Sequence, residues 1–306
     1  MRFIRHTDGQ IRALTDFVLY DGRTIAAGTL GGFIESVRNL SQSGSSWVFP
    51  GASIEGNAHV SGNAIIQSGS VAENARVYGN AVIDGAIVAG NARVLGNAFV
   101  QKGEHGFFFS RAANTTDSQW ATSVAAQQTA FLQSVNTWLA TADTFLATKS
   151  PTGFMLMPAS IWMQFSAAKR IIAQTSRCIS GTVIAGEAQV SGDAKVLNNG
   201  KILGKAKVQG EAVIAGGVIA EEVKISGRPL LQGFITDQAN VAGCAFVNHH
   251  SVVMCDARLS GCARLIDAVL TCNAVVYNDN EVDNEVISDA GLVTTCPDKG
   301  TRKCCD

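Results

Sequence analysis

This chain of 306 residues contains little proline and carries almost no net charge. Five prolines against 31 glycines are too few for proline-rich turns and linkers, so the glycines should have a regular positional role. The 24 basic and 25 acidic side chains leave a formal net charge of −1, which gives no reason to expect a nucleic-acid partner or an anionic membrane surface. A hydrophobic content of 46% predicts a large core rather than disorder.

Long apolar runs are missing as well. The N-terminal sequence MRFIRHTDGQ lacks the apolar region of a secretion signal, and no run reaches the roughly 18 residues that a membrane span needs. We therefore expect a cytoplasmic protein with no membrane span, or a virion-associated one if the chain is phage-encoded. Most of the eight cysteines are then expected to be reduced thiols.

What the chain does contain is a short repeat. The sequence NARV at Asn74–Val77 returns at Asn91–Val94, 17 positions later. Branched aliphatic residues recur at steps of five or six over residues 48–100, and similar steps run over residues 184–287 with a slip around Pro229. A six-residue period fits neither a helix nor hairpin strands. It predicts short strands, three to a coil of 17–18 residues, stacked into a parallel β-solenoid of roughly nine or ten coils.

Gly-Asn pairs occupy the predicted corners between these strands, where a left-handed backbone conformation is needed. Successive coils should lie about 4.8 Å apart, so asparagines at equivalent corners can form hydrogen-bonded ladders. Two such ladders are predicted: Asn57, Asn74 and Asn91 on one edge, and Asn63, Asn80 and Asn97 on the next.

The repeat stops between residue 101 and about residue 180. Thr116 or Asp117 can cap a helix, and a second amphipathic helix is predicted over residues 160–175. The first helix has very few charges, so we expect an α-helical insertion that packs on the solenoid wall, on copies of itself or on a protein partner. The predicted oligomerisation or partner contacts are Trp120, Val124, Phe131, Val135, Trp138 and Phe145.

Five segments follow from these boundaries. They are an N-terminal capping segment at 1–47, a first part of the β-helix at 48–100, the α-helical insertion at 101–180, a second part of the β-helix at 181–290, and a cysteine-containing tail at 291–306.

The capping segment carries a family resemblance. The stretches IRALTDF at Ile11–Phe17, AGTLGGFIES at Ala27–Ser36 and NLSQSGSSWV at Asn39–Val48 resemble the N-terminal segment of the YdcK-type hexapeptide-repeat proteins, and similar segments occur in phage and prophage proteins. The resemblance implies an all-β fold, a left-handed parallel β-helix of hexapeptide repeats. It also implies a homotrimer and a place among the hexapeptide acyltransferases, which bind acyl-CoA between neighbouring coils. The helical insertion departs from that pattern.

Hexapeptide acyltransferases use a histidine as general base, so the five histidines are the candidate catalytic residues. His6 and His59 are expected to be inert surface residues. His105 lies at the start of the insertion. His249 lies one coil, or 18 positions, before Asp267, and a carboxylate stacked on an imidazole can raise its basicity. His249 with Asp267, and separately His105, are the predicted catalytic residues, and each is also explained as an ordinary surface position.

The cysteines follow the same spacing. Cys244 and Cys262 are predicted to stack on one corner, and Cys255 and Cys272 on another, as free thiols because parallel side chains hold their Cβ atoms too far apart for a disulfide. The tail supplies three soft ligands without an evident fourth, so no metal site is predicted. These tail cysteines are Cys296, Cys304 and Cys305.

Two functions remain open on the sequence alone. The first is a scaffold with a structural, assembly or binding role that requires no cofactor. The second is an O- or N-acyltransferase that uses acetyl-CoA or another acyl-CoA. The scarcity of convincing histidine sites favours the scaffold.

Overall fold

Short parallel strands, stacked coil upon coil, make up most of the computed structural model. It describes residues 1–102, 182–249, 251–271, 273–283, 286–287 and 292–293. Paired positions of successive coils are about 17 residues apart, and about ten coils stack along one axis. At the spacing of neighbouring strands, the stack is roughly 45 Å long.

The strands are numbered in chain order. The N-terminal segment contains β1 (Phe3–Arg5), β2 (Gln10–Ala13), β3 (Phe17–Val18), β4 (Thr24–Ile25) and β5 (Leu30–Ile34), followed by a 3-10 turn at Val37–Asn39. The coils before residue 103 contain β6 (Trp47–Val48), β7 (Ala52–Ile54), β8 (His59–Val60), β9 (Ile65–Val71), β10 (Arg76–Val77), β11 (Val82–Val88), β12 (Arg93–Val94) and β13 (Phe99–Gln101).

The coils after residue 181 contain β14 (Val183–Ile184), β15 (Gln189–Val190), β16 (Lys195–Leu197), β17 (Lys201–Ile202), β18 (Lys207–Val208), β19 (Val213–Ala215), β20 (Val218–Ile219), β21 (Lys224–Ile225), β22 (Leu230–Leu231) and β23 (Phe234–Ile235). They continue with β24 (Asn240–Val241), β25 (Phe246–Val247), β26 (Val252–Val253), β27 (Arg258–Leu259), β28 (Arg264–Ile266), β29 (Val269–Leu270), β30 (Val275–Val276), β31 (Glu281–Asp283), β32 (Val286–Ile287) and β33 (Leu292–Val293).

Three walls surround the core. The first wall is the parallel sheet β8-β10-β12-β15-β18-β21-β24-β27-β30-β33. The second wall runs through β6, β13, β16, β19, β22, β25, β28 and β31. The third wall runs through β7, β14, β17, β20, β23, β26, β29 and β32. Strands β9 and β11 turn the corner between the second and third walls, so both walls belong to one sheet.

The core lies inside this three-walled tube. In each two-residue strand the second side chain points inward and the first points outward, as the alternation of a strand requires. Val60, Val77 and Val94 of the first wall are fully buried, and so are the alanines that precede or follow them at the corners. Burying one such aliphatic side chain is worth about 1.5–3 kcal/mol, so the repeated hexads stabilise every coil alike.

The N-terminal segment closes one end of the tube. Strand β1 pairs antiparallel with β2, and β2 with β5, before β5 joins β7 in parallel. Beyond them, the buried Asn39 side chain donates hydrogen bonds to the carbonyl oxygens of Gly56 (2.9 Å) and Ala58 (2.8 Å). These bonds satisfy carbonyl groups near the first coil, where a further coil would otherwise provide donors.

The tube is continuous across residues 103–181. Val88, Val94 and Val100 pair in parallel with Ile184, Val190 and Val196. At the point where the chain leaves and returns, the Thr182 hydroxyl donates to the Gln101 carbonyl oxygen over 2.6 Å. The prediction of one coaxial solenoid on both sides of the interruption is therefore confirmed.

The predicted α-helical insertion needs correction. The fold class that the structure supports is an all-β parallel solenoid, and its described residues contain no α-helix, only the 3-10 turn. The predicted helices fall in residues 103–181, outside that description. A spacing of three to four between apolar residues indicates which face a helix would bury. It does not show that the helix is stable, because most helical stability comes from tertiary packing. The left-handed sense of the coil stays a prediction.

One corner column consists largely of glycines in the left-handed conformation. Gly96 has a φ of 74°, and a Cβ added there would lie 2.9 Å from the backbone N and O atoms of Gly192 in the next coil. Gly51 has a φ of 88°, but a Cβ there would meet nothing within 4 Å. The two glycines thus share a backbone conformation and differ in the space around them.

We predict that Gly96→Ala destabilises the protein more than Gly51→Ala. Both substitutions incur the left-handed penalty of about 1–2 kcal/mol, and Gly96→Ala adds an overpacking cost of about 1–3 kcal/mol. Urea unfolding of the two variants and the parent measures the difference. Equal losses of stability would show that coils do not approach as closely as described.

Candidate functional site

The predicted catalytic pair lies at the corner between the second and third walls. His249 is exposed on the turn that follows β25, and Asp267 is half-buried between β28 and β29 with a φ of 48°. The two positions do belong to successive coils, because Val247 pairs with Leu265 and Val253 with Leu270.

The Asn248 side chain is hydrogen-bonded to Asp267. Its Nδ2 donates to Asp267 Oδ1 (2.9 Å), and its Oδ1 accepts from the Asp267 backbone N–H (3.2 Å). The Ser251 hydroxyl donates to Asn248 Oδ1 over 2.7 Å. The Asp267 carboxylate is thus held in a hydrogen-bonded corner, where the amide stabilises the local turn. A catalytic role for His249 and Asp267 stays a prediction.

Other predicted site residues lie outside the described residues. These are the second catalytic candidate and the proposed assembly contacts: His105, Trp120, Val124, Phe131, Val135, Trp138 and Phe145. The tail cysteines Cys296, Cys304 and Cys305 lie outside them too.

Three cysteines of the repeat are described. Cys244, Cys255 and Cys262 form no disulfide, as predicted, and they are half-buried. Within the described ranges, no cluster of three or more His, Cys, Asp or Glu side chains has the geometry to hold a metal ion.

A column of basic and amide side chains runs along the outside of the first wall, at the first residue of each strand from β8 to β27. Parallel register places these residues directly above one another in successive coils. We call this set the first-wall column: His59, Arg76, Arg93, Gln189, Lys207, Lys224, Asn240 and Arg258. Its arginines and lysines are exposed. None of these five side chains has a carboxylate oxygen of a described residue within 4.0 Å.

A groove of about 530 Å³ lies beside the C-terminal half of this column. One side is formed by the column itself and the other by the preceding corner. Its lining residues are Lys205, Lys207, Glu222, Lys224, Gln238, Asn240, Asp256, Arg258 and Asn273. Four cations and two carboxylates line it. Only Lys205 and Glu222 form an ion pair among these lining residues, at 3.5 Å and largely exposed.

Two further carboxylates stack at the same corner. Glu221 and Asp237 occupy equivalent left-handed positions with φ values of 63° and 61°. Burial, followed by the negative charge of Asp237, raises the pKa of the Glu221 carboxyl. Burial also raises the pKa of Asp237, although its Oδ2 accepts a hydrogen bond from the Cys255 N–H at 3.0 Å.

Sequence reasoning missed the first-wall column because net charge was read over the whole chain. The signal was present at the coil period: from His59 to Arg258, every third hexad carries a basic or amide residue just before its inward aliphatic residue. Reading the outward positions of one wall in order would have found it.

Comparisons with known proteins do not assign the site. A scan against protein-family models finds no match to the chain, and a search of the curated proteins finds none either.

Among the residues that the structure describes, no helix has the length and apolarity to cross a lipid bilayer.

Lys201 is a buried cation on the third wall. It stacks between Val183 and Val218, is 6% exposed, and its Nζ donates to the Asn199 carbonyl oxygen over 2.6 Å. Burial lowers the pKa of this amine from 10.5 to about 8. A lysine with a lowered pKa is a functional candidate in a cleft, but this one lies in an apolar column.

We predict that Lys201→Met stabilises the protein at pH 7, by up to about 3 kcal/mol. Below pH 8 the Lys201 amine is charged in both the folded and the unfolded protein, so its burial lowers the free energy of unfolding. Between about pH 8 and 10.5 the native state releases the proton first, so parental stability rises with pH. Urea unfolding across this range should show the advantage of the variant shrinking as pH rises. The exposed Lys195→Met is the control, and a constant difference for Lys201→Met would contradict the assignment.

Proposed function

We propose that the protein is a non-catalytic solenoid scaffold that binds a partner along its first wall. The observation that carries this proposal is the first-wall column, in which five exposed cations without carboxylate partners in the described chain lie in register on one parallel sheet. Side chains of one sign in a fixed row are unfavourable for the free protein, and a ligand of opposite charge removes that repulsion.

The rigidity of the wall supports a binding role. Each coil donates backbone hydrogen bonds to the next, as in Lys207 N to Val223 O at 2.8 Å and Gln209 N to Ile225 O at 3.0 Å. A surface held in this way loses little conformational freedom when it binds, and that lowers the entropic cost of association. The resemblance to phage and prophage proteins supports a virion-associated location for such a scaffold if the chain is phage-encoded.

An acyltransferase is the second candidate function. The resemblance to the YdcK-type proteins supports it, and so does the exposed position of His249, next to the Asn248–Asp267 pair. In that reaction His249 would deprotonate the hydroxyl or amine acceptor, and acyl-CoA would be the acyl donor. His105 is the alternative base under this proposal.

Acetyl-CoA binding and turnover separate the two functions. We predict no calorimetric binding of acetyl-CoA in the micromolar range and no effect of His249→Ala on any property of the scaffold. An enzyme that uses His249 as general base would instead bind acetyl-CoA and lose about 10²–10⁴-fold in rate in this variant. Micromolar acetyl-CoA binding would overturn the non-catalytic proposal.

Self-association is part of the proposed scaffold role. The outward positions of the second wall include Val82, Phe99, Val213, Leu230 and Phe246, which form an apolar strip interrupted by Lys195. Leu230 is 38% exposed. Partly exposed apolar strips of this kind mark interaction surfaces, and the family resemblance supports a homotrimer.

We predict that the full-length chain is a trimer in multi-angle light scattering and that Leu230→Glu lowers the oligomer order. A buried carboxylate in an apolar interface is strongly unfavourable. The matched control is Lys207→Glu, which places the same side chain on the first wall and should leave the oligomer intact. A monomeric parent protein would contradict this prediction.

A further inference from the structure

The ligand of the first-wall column can be inferred from its chemistry. Resting on the proposed function, we propose that the first wall binds an extended anionic polysaccharide, one that carries carboxylate or sulfate groups, along the axis of the solenoid. Three features of the wall support this ligand: the spacing of its cations, the neutral groups between them and the absence of aromatic side chains from the groove lining.

Cation spacing indicates a linear ligand. Five of the seven successive outward positions from Arg76 to Arg258 are basic, and the other two are Gln189 and Asn240. Six steps of about 4.8 Å give a column roughly 29 Å long. A compact anion would contact only two or three neighbouring cations, whereas an extended polyanion contacts all of them.

Amides and carboxylates beside the column suit hydroxyl groups. In the groove, Gln238, Asn240 and Asn273 provide both donors and acceptors, while Glu222 and Asp256 accept from hydroxyl groups. At the N-terminal end of the column, the ladder of Asn57, Asn74 and Asn91 lies on the corner before Arg76 and Arg93. Its side-chain amides are joined by hydrogen bonds of 3.2 Å. A sugar chain offers hydroxyls between its anionic groups, so its polar groups match this alternation of cation and amide.

Nucleic acid fits the same surface less well. A strand of duplex DNA carries one phosphate about every 3.4 Å, denser than five cations over roughly 29 Å can neutralise. No aromatic side chain lines the groove to stack a base.

The test measures binding of four probes to the full-length protein by calorimetry at low and high salt. The probes are an oligogalacturonate, a sulfated glycosaminoglycan fragment, a neutral cello-oligosaccharide and a single-stranded oligonucleotide. We expect one or both acidic sugars to bind, with affinity falling as salt rises. The two acidic sugars distinguish a carboxylated ligand from a sulfated one.

Matched variants locate the site. Lys207→Gln should weaken acidic-sugar binding by about tenfold, and Lys207→Gln with Lys224→Gln by more, because each lost charge-assisted contact is worth about one factor of ten. Lys195→Gln removes an exposed lysine from the second wall instead, and this variant should bind the acidic sugar as tightly as the parent does. Equal affinities of all variants would place the sugar elsewhere and overturn the inference.

The outcomes also separate this inference from the proposed function. If the oligonucleotide binds in place of the acidic sugars and the Lys207 and Lys224 variants weaken it, the wall binds a partner but the polysaccharide inference is wrong. If none of the charged probes binds, or if only the neutral sugar binds, both the inference and the first-wall binding proposal fail.

Discussion

The hydrogen bonds from each coil to the next determine everything else in this structure. Arg76 N donates to Ala92 O over 2.9 Å, and Arg93 N donates to Ala188 O over 2.8 Å across residues 103–181. Because these bonds fix the register, each inward aliphatic residue lies on another and each outward residue joins a column. A shift of one residue would exchange the two faces, so core stability and surface chemistry depend on the same register.

The three walls use this register differently. The first wall is exposed and basic, the second carries a partly exposed apolar strip, and the third has buried outward positions such as Val252 and Phe234. Coil periodicity alone gives each wall a stable inner face. The outer positions are free to differ, and a repeat of this kind can therefore present three unrelated surfaces on one rigid support.

The repeat could be predicted from the sequence because it is local and numerous. The side-chain hydrogen bonds from Asn57 to Asn74 (3.2 Å) and from Asn63 to Asn80 (3.0 Å) confirm the predicted ladders. The hydrogen bonds between Asn248 and Asp267 could not be predicted, because Asn248 reaches Asp267 through the turn rather than by a whole-coil offset. Lys201 was missed since its burial depends on tertiary context. The α-helical insertion was wrong as part of the fold class, because apolar spacing alone does not determine what a segment packs against.

The most direct test of this account is a distance along the first wall. Spin labels at Arg76→Cys and Arg258→Cys, in a background with the native cysteines replaced by serine, lie on β10 and β27 on opposite sides of residues 103–181. Six steps of about 4.8 Å between coils predict a narrow distribution of backbone separations centred near 29 Å, after allowance for the label linkers, in pulsed electron paramagnetic resonance. A broad distribution, or one centred well away from this value, would mean that the chain does not form a single coaxial solenoid and that the first-wall column does not exist.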